Sequence, residues 1–236
     1  MARRYPASDA ARSPRISELT LGDDAELWEA LGFAVQGDGF PIGSVTARLA
    51  GSESGPGIVG WSLRDIRTND LDGLPTTVAY GDPPAPAAEH PNGALSIDHV
   101  VVVTPSLDRT AAAFDDAGVP LRRVREAGTP EQPMRQGFLR LGEVILELVQ
   151  PPPGAEVRVG AVSMPAPEER DPARFWGVVF VVSDLDRLAS VLGERLGEAR
   201  PAVQPARRIA TLQATAGSTV PVAFITPQPA PDPARR

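Results

Sequence analysis

The sequence carries one pattern of strand and helix signals twice, and this repeat constrains the fold more than any other feature. A β-branched run at residues 97–103 precedes a helix start at Leu107, and a second run at 176–182 precedes a helix start at Leu185. The two helix starts lie 78 residues apart, and in both copies the last strand runs into a proline. Because units that keep register over this distance fold alike, we predict two copies of one β-α-β-β-β module.

Composition divides the rest of the chain. A weaker copy of the pattern occupies residues 15–80, and we expect it to form a partial module that packs against the other two. Proline, glycine and alanine cluster in the segments between and outside the modules. The predicted organisation is a disordered arm (1–14), a partial module (15–80), a Pro/Ala linker (81–94), a module (95–151), a loop (152–173), a module (174–227) and a disordered tail (228–236).

Residue types remove several kinds of chemistry. The chain has no cysteine and all 23 of its basic residues are arginine, which excludes thiol nucleophiles, zinc–thiolate sites and lysine Schiff bases. A formal net charge of −7 argues against a nucleic-acid partner, because such a protein needs a basic face. No apolar run reaches the roughly 20 residues of a membrane-spanning helix, and none follows Met1 as a secretory signal would. These observations, with the missing cysteine, predict a cytoplasmic protein without a membrane partner.

The strand motifs add a family resemblance. Ile-Asp-His-Val-Val at 97–101 opens the second module and Val-Ile-Leu-Glu-Leu-Val at 144–149 closes it. A β-α-β-β-β unit with these strands resembles the vicinal oxygen chelate superfamily, which contains glyoxalases, bleomycin-resistance proteins and dioxygenases. The resemblance implies an α+β fold in which paired modules form one curved mixed sheet, a cup of eight strands around a divalent metal. It also implies one metal ligand from the first and one from the last strand of each module.

Transferring these ligand positions gives an incomplete set. In the module 95–151 they fall on His99 and Glu147, whereas the matching positions of the module 174–227 are Gly177 and Ala223. Neither glycine nor alanine can bind a metal through its side chain, and catalytic metals usually have three protein ligands. The sequence therefore favours a glyoxalase-like cup that binds a small molecule without a complete metal site.

Two other functions remain open at this stage. The chain could be a divalent-metal-dependent lyase, isomerase or dioxygenase with His99 and Glu147 as ligands, or an interaction module that has kept only the fold. An enzyme that works without a metal would use Glu147 as a catalytic base of raised pKa.

Further candidates come from the strand ends. Arg135 and Arg207 enter inner strands of the two modules at similar positions, so the pair is a candidate clamp for a carboxylate or phosphate, the alternative being solvated strand ends. Trp176 is a candidate for the apolar wall of the pocket, although aromatic residues at strand spacing are more often core. A homodimer is a further expectation.

Overall fold

The computed structural model describes residues 13–80, 88–159 and 162–229, which form three modules and one hairpin. We call residues 13–80 the N-terminal module, 88–151 the central module and 174–227 the C-terminal module. The elements of the N-terminal module are β1 (Arg15–Leu21), α1 (Ala25–Ala30), β2 (Gly39–Ile42), β3 (Val45–Leu49), β4 (Ile58–Arg64) and β5 (Thr76–Val78). Those of the central module are β6 (Ala94–Val103), α2 (Leu107–Asp116), β7 (Arg123–Gly128), β8 (Pro133–Leu141) and β9 (Val144–Gln150). The hairpin consists of β10 (Glu156–Val159) and β11 (Val162–Pro165), and the C-terminal module of β12 (Arg174–Val182), α3 (Leu185–Leu192), β13 (Arg200–Pro201), β14 (Arg208–Thr211) and β15 (Val222–Ile225).

The central and C-terminal modules have the same topology and share one sheet. Its strand order is β13-β14-β15-β12-β6-β9-β8-β7. In each module the first strand is parallel to the last, and the two first strands, β6 and β12, pair antiparallel at the middle of the sheet. The predicted α+β fold of paired β-α-β-β-β modules in a mixed sheet is therefore confirmed.

Local sequence explains where both helices of this sheet begin. The side chain of Ser106 accepts a hydrogen bond from the backbone N–H of Arg109, and the Asp184 side chain accepts from the N–H groups of Asp186 and Arg187. Such caps satisfy backbone donors that the first helical turn leaves unpaired. They fix α2 and α3 at equivalent places in the repeat.

The two faces of the eight-stranded sheet have different partners. Val100, Val102, Leu146 and Leu148 of the central module point into the main core, together with buried residues of both helices. Because side chains alternate along a strand, the neighbouring residues face the other side, where the sheet forms an open concavity. We call this concavity the cup.

The N-terminal module covers the core side of the sheet. Its own strands have the order β2-β3-β1-β4-β5, in which β1 is parallel to β3 and antiparallel to β4. Trp28 of α1 lies against Phe180 of β12, with ring centroids 6.0 Å apart, and Trp61 of β4 lies 6.1 Å from the ring of Phe114 in α2. The N-terminal module therefore contributes to the same core as both other modules.

The segment predicted as the loop 152–173 needs a correction. Its residues form the antiparallel hairpin β10–β11, and Val157 and Met164 pack beside the cup against a cluster that contains Trp176. The two short strands were not predicted because proline-rich sequence flanks them. The arm 1–14, the linker 81–94 and the tail 228–236 lie partly outside the described residues, which exclude 1–12, 81–87 and 230–236.

Candidate functional site

The inner part of the cup is a cavity of about 280 Å³ between the central and C-terminal modules. His99, Gln136 and Glu147 line it from β6, β8 and β9, and Arg200 and Thr211 are its other polar residues. Its apolar wall includes Val101, Val103, Val149, Met134 and Trp176. An apolar cavity with a few convergent polar groups is the usual form of a small-molecule site.

A β-bulge brings Asp98 and His99 to the cup together. Val179 of β12 pairs with His99, but the next residue, Phe180, pairs with Ile97, so that Asp98 is the extra residue of β6. Bulges redirect side chains in this way, often next to binding sites. The strand alternation used in the sequence analysis could not show this break.

Asp98 holds His99 in one orientation. Asp98 Oδ2 lies 2.8 Å from Nδ1 of His99, and Asp98 Oδ1 accepts a hydrogen bond of 2.6 Å from Nη2 of Arg207. Burial alone would raise the pKa of Asp98, but the hydrogen bonds from His99 and Arg207 outweigh it and hold that pKa below its ordinary value. Since a carboxylate only accepts, Nδ1 of His99 carries the proton and Nε2 faces the cup.

Glu147 is the second polar group of the cavity. Its Oε2 lies 3.7 Å from Nε2 of His99, and its Oε1 accepts a hydrogen bond of 2.7 Å from Nε2 of Gln136. Burial raises the pKa of the Glu147 carboxyl above its ordinary value, despite the opposing effects of the charges of His99 and Arg125 and of the Gln136 hydrogen bond. His99 and Glu147 thus lie in the same concavity, as the resemblance implies, and form a close pair.

Small residues occupy the equivalent positions of the C-terminal module. Val101 pairs with Glu147 in the central module, and Val179 pairs with Ala223 in the C-terminal one, so the sheet register matches Glu147 to Ala223. Gly177 also borders the cavity, and a Cβ atom there would overlap with the carbonyl oxygen of Pro221. The backbone therefore excludes any larger residue, including a metal ligand, at position 177.

The donor atoms present do not fit a catalytic divalent metal. Among the residues that the structure describes, no group of three His, Cys, Asp or Glu side chains could hold an ion. In the cup, Nδ1 of His99 is hydrogen-bonded to Asp98, and Oε1 of Glu147 accepts a hydrogen bond from Gln136. Only Nε2 of His99 and Oε2 of Glu147 therefore remain as possible metal donors of this pair. Two donors fall short of the three protein ligands that such sites usually have.

The arginine pair of the sequence analysis separates in the structure. Arg207 has a 2% exposed side chain beside the cup, where it binds Asp98 rather than standing free to clamp a ligand. Arg135 lies on the opposite face of β8, as alternation from Gln136 requires, and Nη1 and Nη2 donate to Asp108 of α2. Arg208 makes the equivalent strand-to-helix pair with Asp186 of α3. We therefore leave Arg135 out of the candidate site.

Trp176 is brought to the cavity wall, and it is the extra residue of a second bulge, in β12. Its indole Nε1 is buried without a hydrogen-bond partner, and so is Oε1 of Gln136. Unpaired buried polar atoms are costly, and most have a partner. Both atoms are fully buried beside the cavity rather than exposed to it.

The raised pKa of Glu147 gives a testable dependence of stability on pH. A carboxyl whose pKa is raised by folding contributes stability below its unfolded pKa and loses it as the pH rises through the folded pKa. Glu147→Gln stays neutral, so we expect equal stability of variant and wild type at about pH 4 and a more stable variant at about pH 7. Urea unfolding at both pH values measures this difference. Glu143→Gln, at an exposed position, is the control, and a variant that is less stable than wild type at about pH 7 would contradict the expectation.

Comparison with known proteins finds similarity at the level of structure. No family model and no curated protein matches the sequence. A mutant of 4-hydroxymandelate synthase from Streptomyces coelicolor is 14% identical, with a TM-score of 0.58 over 92% of this chain and 94% of that one. Methylmalonyl-CoA epimerase from Mycobacterium tuberculosis is 20% identical, with a TM-score of 0.41 over 58% of this chain and 91% of its own. The likeness to the synthase extends over all three modules and supports the fold.

Proposed function

We propose that this protein, whose fold is that of the vicinal oxygen chelate superfamily, binds a small organic molecule in its cup. The observation that carries the proposal is the open cavity beside Gly177 and Ala223, opposite the His99–Glu147 pair. The small side chain of Ala223 leaves volume for an organic ligand, and neither Ala223 nor Gly177 supplies a metal donor. His99 and Glu147 would then be polar partners of the ligand.

The lining of the cavity supports an organic ligand rather than water alone. Apolar residues form most of its wall, so an apolar ligand body would gain free energy by leaving water. The polar side chains of His99 and Glu147 would fix the ligand's orientation. A divalent-metal enzyme, the alternative, is less well supported because the donor set is too small.

Other expectations remain predictions. A catalytic role of Glu147, a homodimer and a cytoplasmic location have no direct support beyond the sequence. Within the described residues, no helix is both long enough and apolar enough to cross a membrane.

A neutral fluorescent probe tests binding. N-phenyl-1-naphthylamine fluoresces in apolar sites, and we expect it to bind the wild-type protein in the cup. Ala223→Phe should fill the cavity and weaken this binding by about tenfold or more, because the new ring and the probe would occupy the same volume. Fluorescence titration gives the dissociation constants.

The matched control is Ala112→Phe, at an exposed position of α2, which should bind the probe like wild type. If Ala223→Phe does not fold by circular dichroism, Val101→Phe blocks the cavity from the opposite wall. A wild-type protein that does not bind the probe, or a blocked cup that binds it unchanged, would remove the proposed function.

A further inference from the structure

The mouth of the cup lies between the two edges of the eight-stranded sheet. Strand β7 is one edge and β13 the other, and the loop after β13 helps to enclose a region of about 500 Å³. Arg123 and Arg125 of β7 line this mouth from the central module, and Arg200 of β13 lines it from the C-terminal module. The curvature of the sheet thus brings together cations that are far apart in the sequence.

Little negative charge faces these arginines. Among the described residues that line the mouth, Glu147 is the one carboxylate, and Gln136 already occupies its Oε1. Asp98, which does not line the mouth, is bound by Arg207. The mouth therefore has an excess of positive charge in a protein whose formal net charge is −7.

The arginines differ in what holds them. The guanidinium of Arg123 lies over the ring of Phe138, 4.7 Å from its centroid. Within the described part of the chain, the structure gives Arg125 and Arg200 no ion pair, whereas Arg135, Arg174 and Arg208 all have carboxylate partners. Placing three cations around one carboxylate is unfavourable unless a further anion joins them, and a concave, partly apolar surface strengthens their field.

We propose that the ligand of the cup is an organic anion whose charged head lies at the mouth between Arg125 and Arg200, with its apolar body in the inner cavity. This inference rests on the proposed function and adds the class of ligand. Guanidinium groups bind carboxylate and phosphate oxygens through paired hydrogen bonds, so either head fits the mouth. The apolar body would contact Val101, Val149 and Trp176.

Two probes with similar aromatic bodies distinguish the contribution of the ligand's charge to affinity from the contribution of its apolar body. 8-Anilinonaphthalene-1-sulfonate is anionic and N-phenyl-1-naphthylamine is neutral. We expect the double variant Arg125→Gln/Arg200→Gln to bind the anionic probe about tenfold or more weakly than wild type and the neutral probe within about twofold of it. Both arginines are exposed, so the fold should survive, and Arg187→Gln on α3 is the control for general surface charge.

Competition identifies the head. Displacement of the bound anionic probe by 1-naphthylacetate or by 1-naphthyl phosphate, but not by the neutral 1-naphthylacetamide, supports the proposal and distinguishes a carboxylate from a phosphate ligand. Equal displacement by the amide, or unchanged affinity of the double variant for the anionic probe, overturns the proposal of an anionic ligand. If the neutral probe still binds in that case, the proposed function of the cup is unaffected. If neither probe binds the wild-type protein, both the proposed function and this inference fail.

Discussion

Trp28→Ala is expected to lower the free energy of unfolding by about 4 kcal/mol, the typical cost of removing a large aromatic side chain from a core. Trp28 is fully buried, and its ring contacts those of Phe33, Phe40 and Phe180 at centroid distances of 5.2, 5.5 and 6.0 Å. Because Phe180 belongs to β12, the substitution opens a cavity between the N-terminal and C-terminal modules rather than inside one of them.

Urea unfolding followed by circular dichroism measures the loss, with Tyr80→Ala as the control because the Tyr80 side chain is exposed and should contribute little. We expect one cooperative transition in wild type and variant, since the modules share a core. A separate early transition, or a loss below about 1.5 kcal/mol, would mean that the N-terminal module is an independent domain.

Arg207→Met is expected to lower the free energy of unfolding by about 3 kcal/mol at neutral pH, because it leaves the buried charge of Asp98 without its arginine partner. The side chains of Arg207 and Asp98 are only 2% and 9% exposed. The low pKa of Asp98 means that the pair contributes stability above the unfolded pKa of an aspartate and loses it as the pH falls through the folded pKa. The difference between variant and wild type should therefore shrink in acid.

Two further variants make this test specific. Arg208→Met removes the neighbouring arginine, whose exposed pair with Asp186 should contribute much less to stability than the buried pair. Adding Asp98→Asn to Arg207→Met should restore part of the lost stability, since a neutral amide is easier to bury than an unpaired carboxylate. Equal losses for Arg207→Met and Arg208→Met, or no recovery in the double variant, would show that the buried pair does not stabilise the fold.

Local signals in the sequence were enough to predict the repeat, and the resemblance added His99 and Glu147 as members of the candidate site. Capping residues and β-branched runs depend on neighbours a few positions away, so Leu107 and Leu185 could be recognised as equivalent helix starts. The same register matched His99 and Glu147, the ligand positions that the resemblance implies, to Gly177 and Ala223 before their positions around one cavity were known. Both the module topology and the resemblance therefore followed from short-range patterns.

Other features depended on contacts between distant strands, which no local pattern encodes. The bulge that adds Asp98 to the cup arises where β6 pairs with β12. Arg135 is excluded from the cup because it pairs with Asp108 of α2, which lies on the other face of the sheet. The excess of positive charge at the mouth required the two sheet edges to curl toward each other, which brings Arg125 and Arg200 to one opening. Residue types and short spacings thus determined the modules, whereas long-range strand pairing and sheet curvature decided which side chains share the cup.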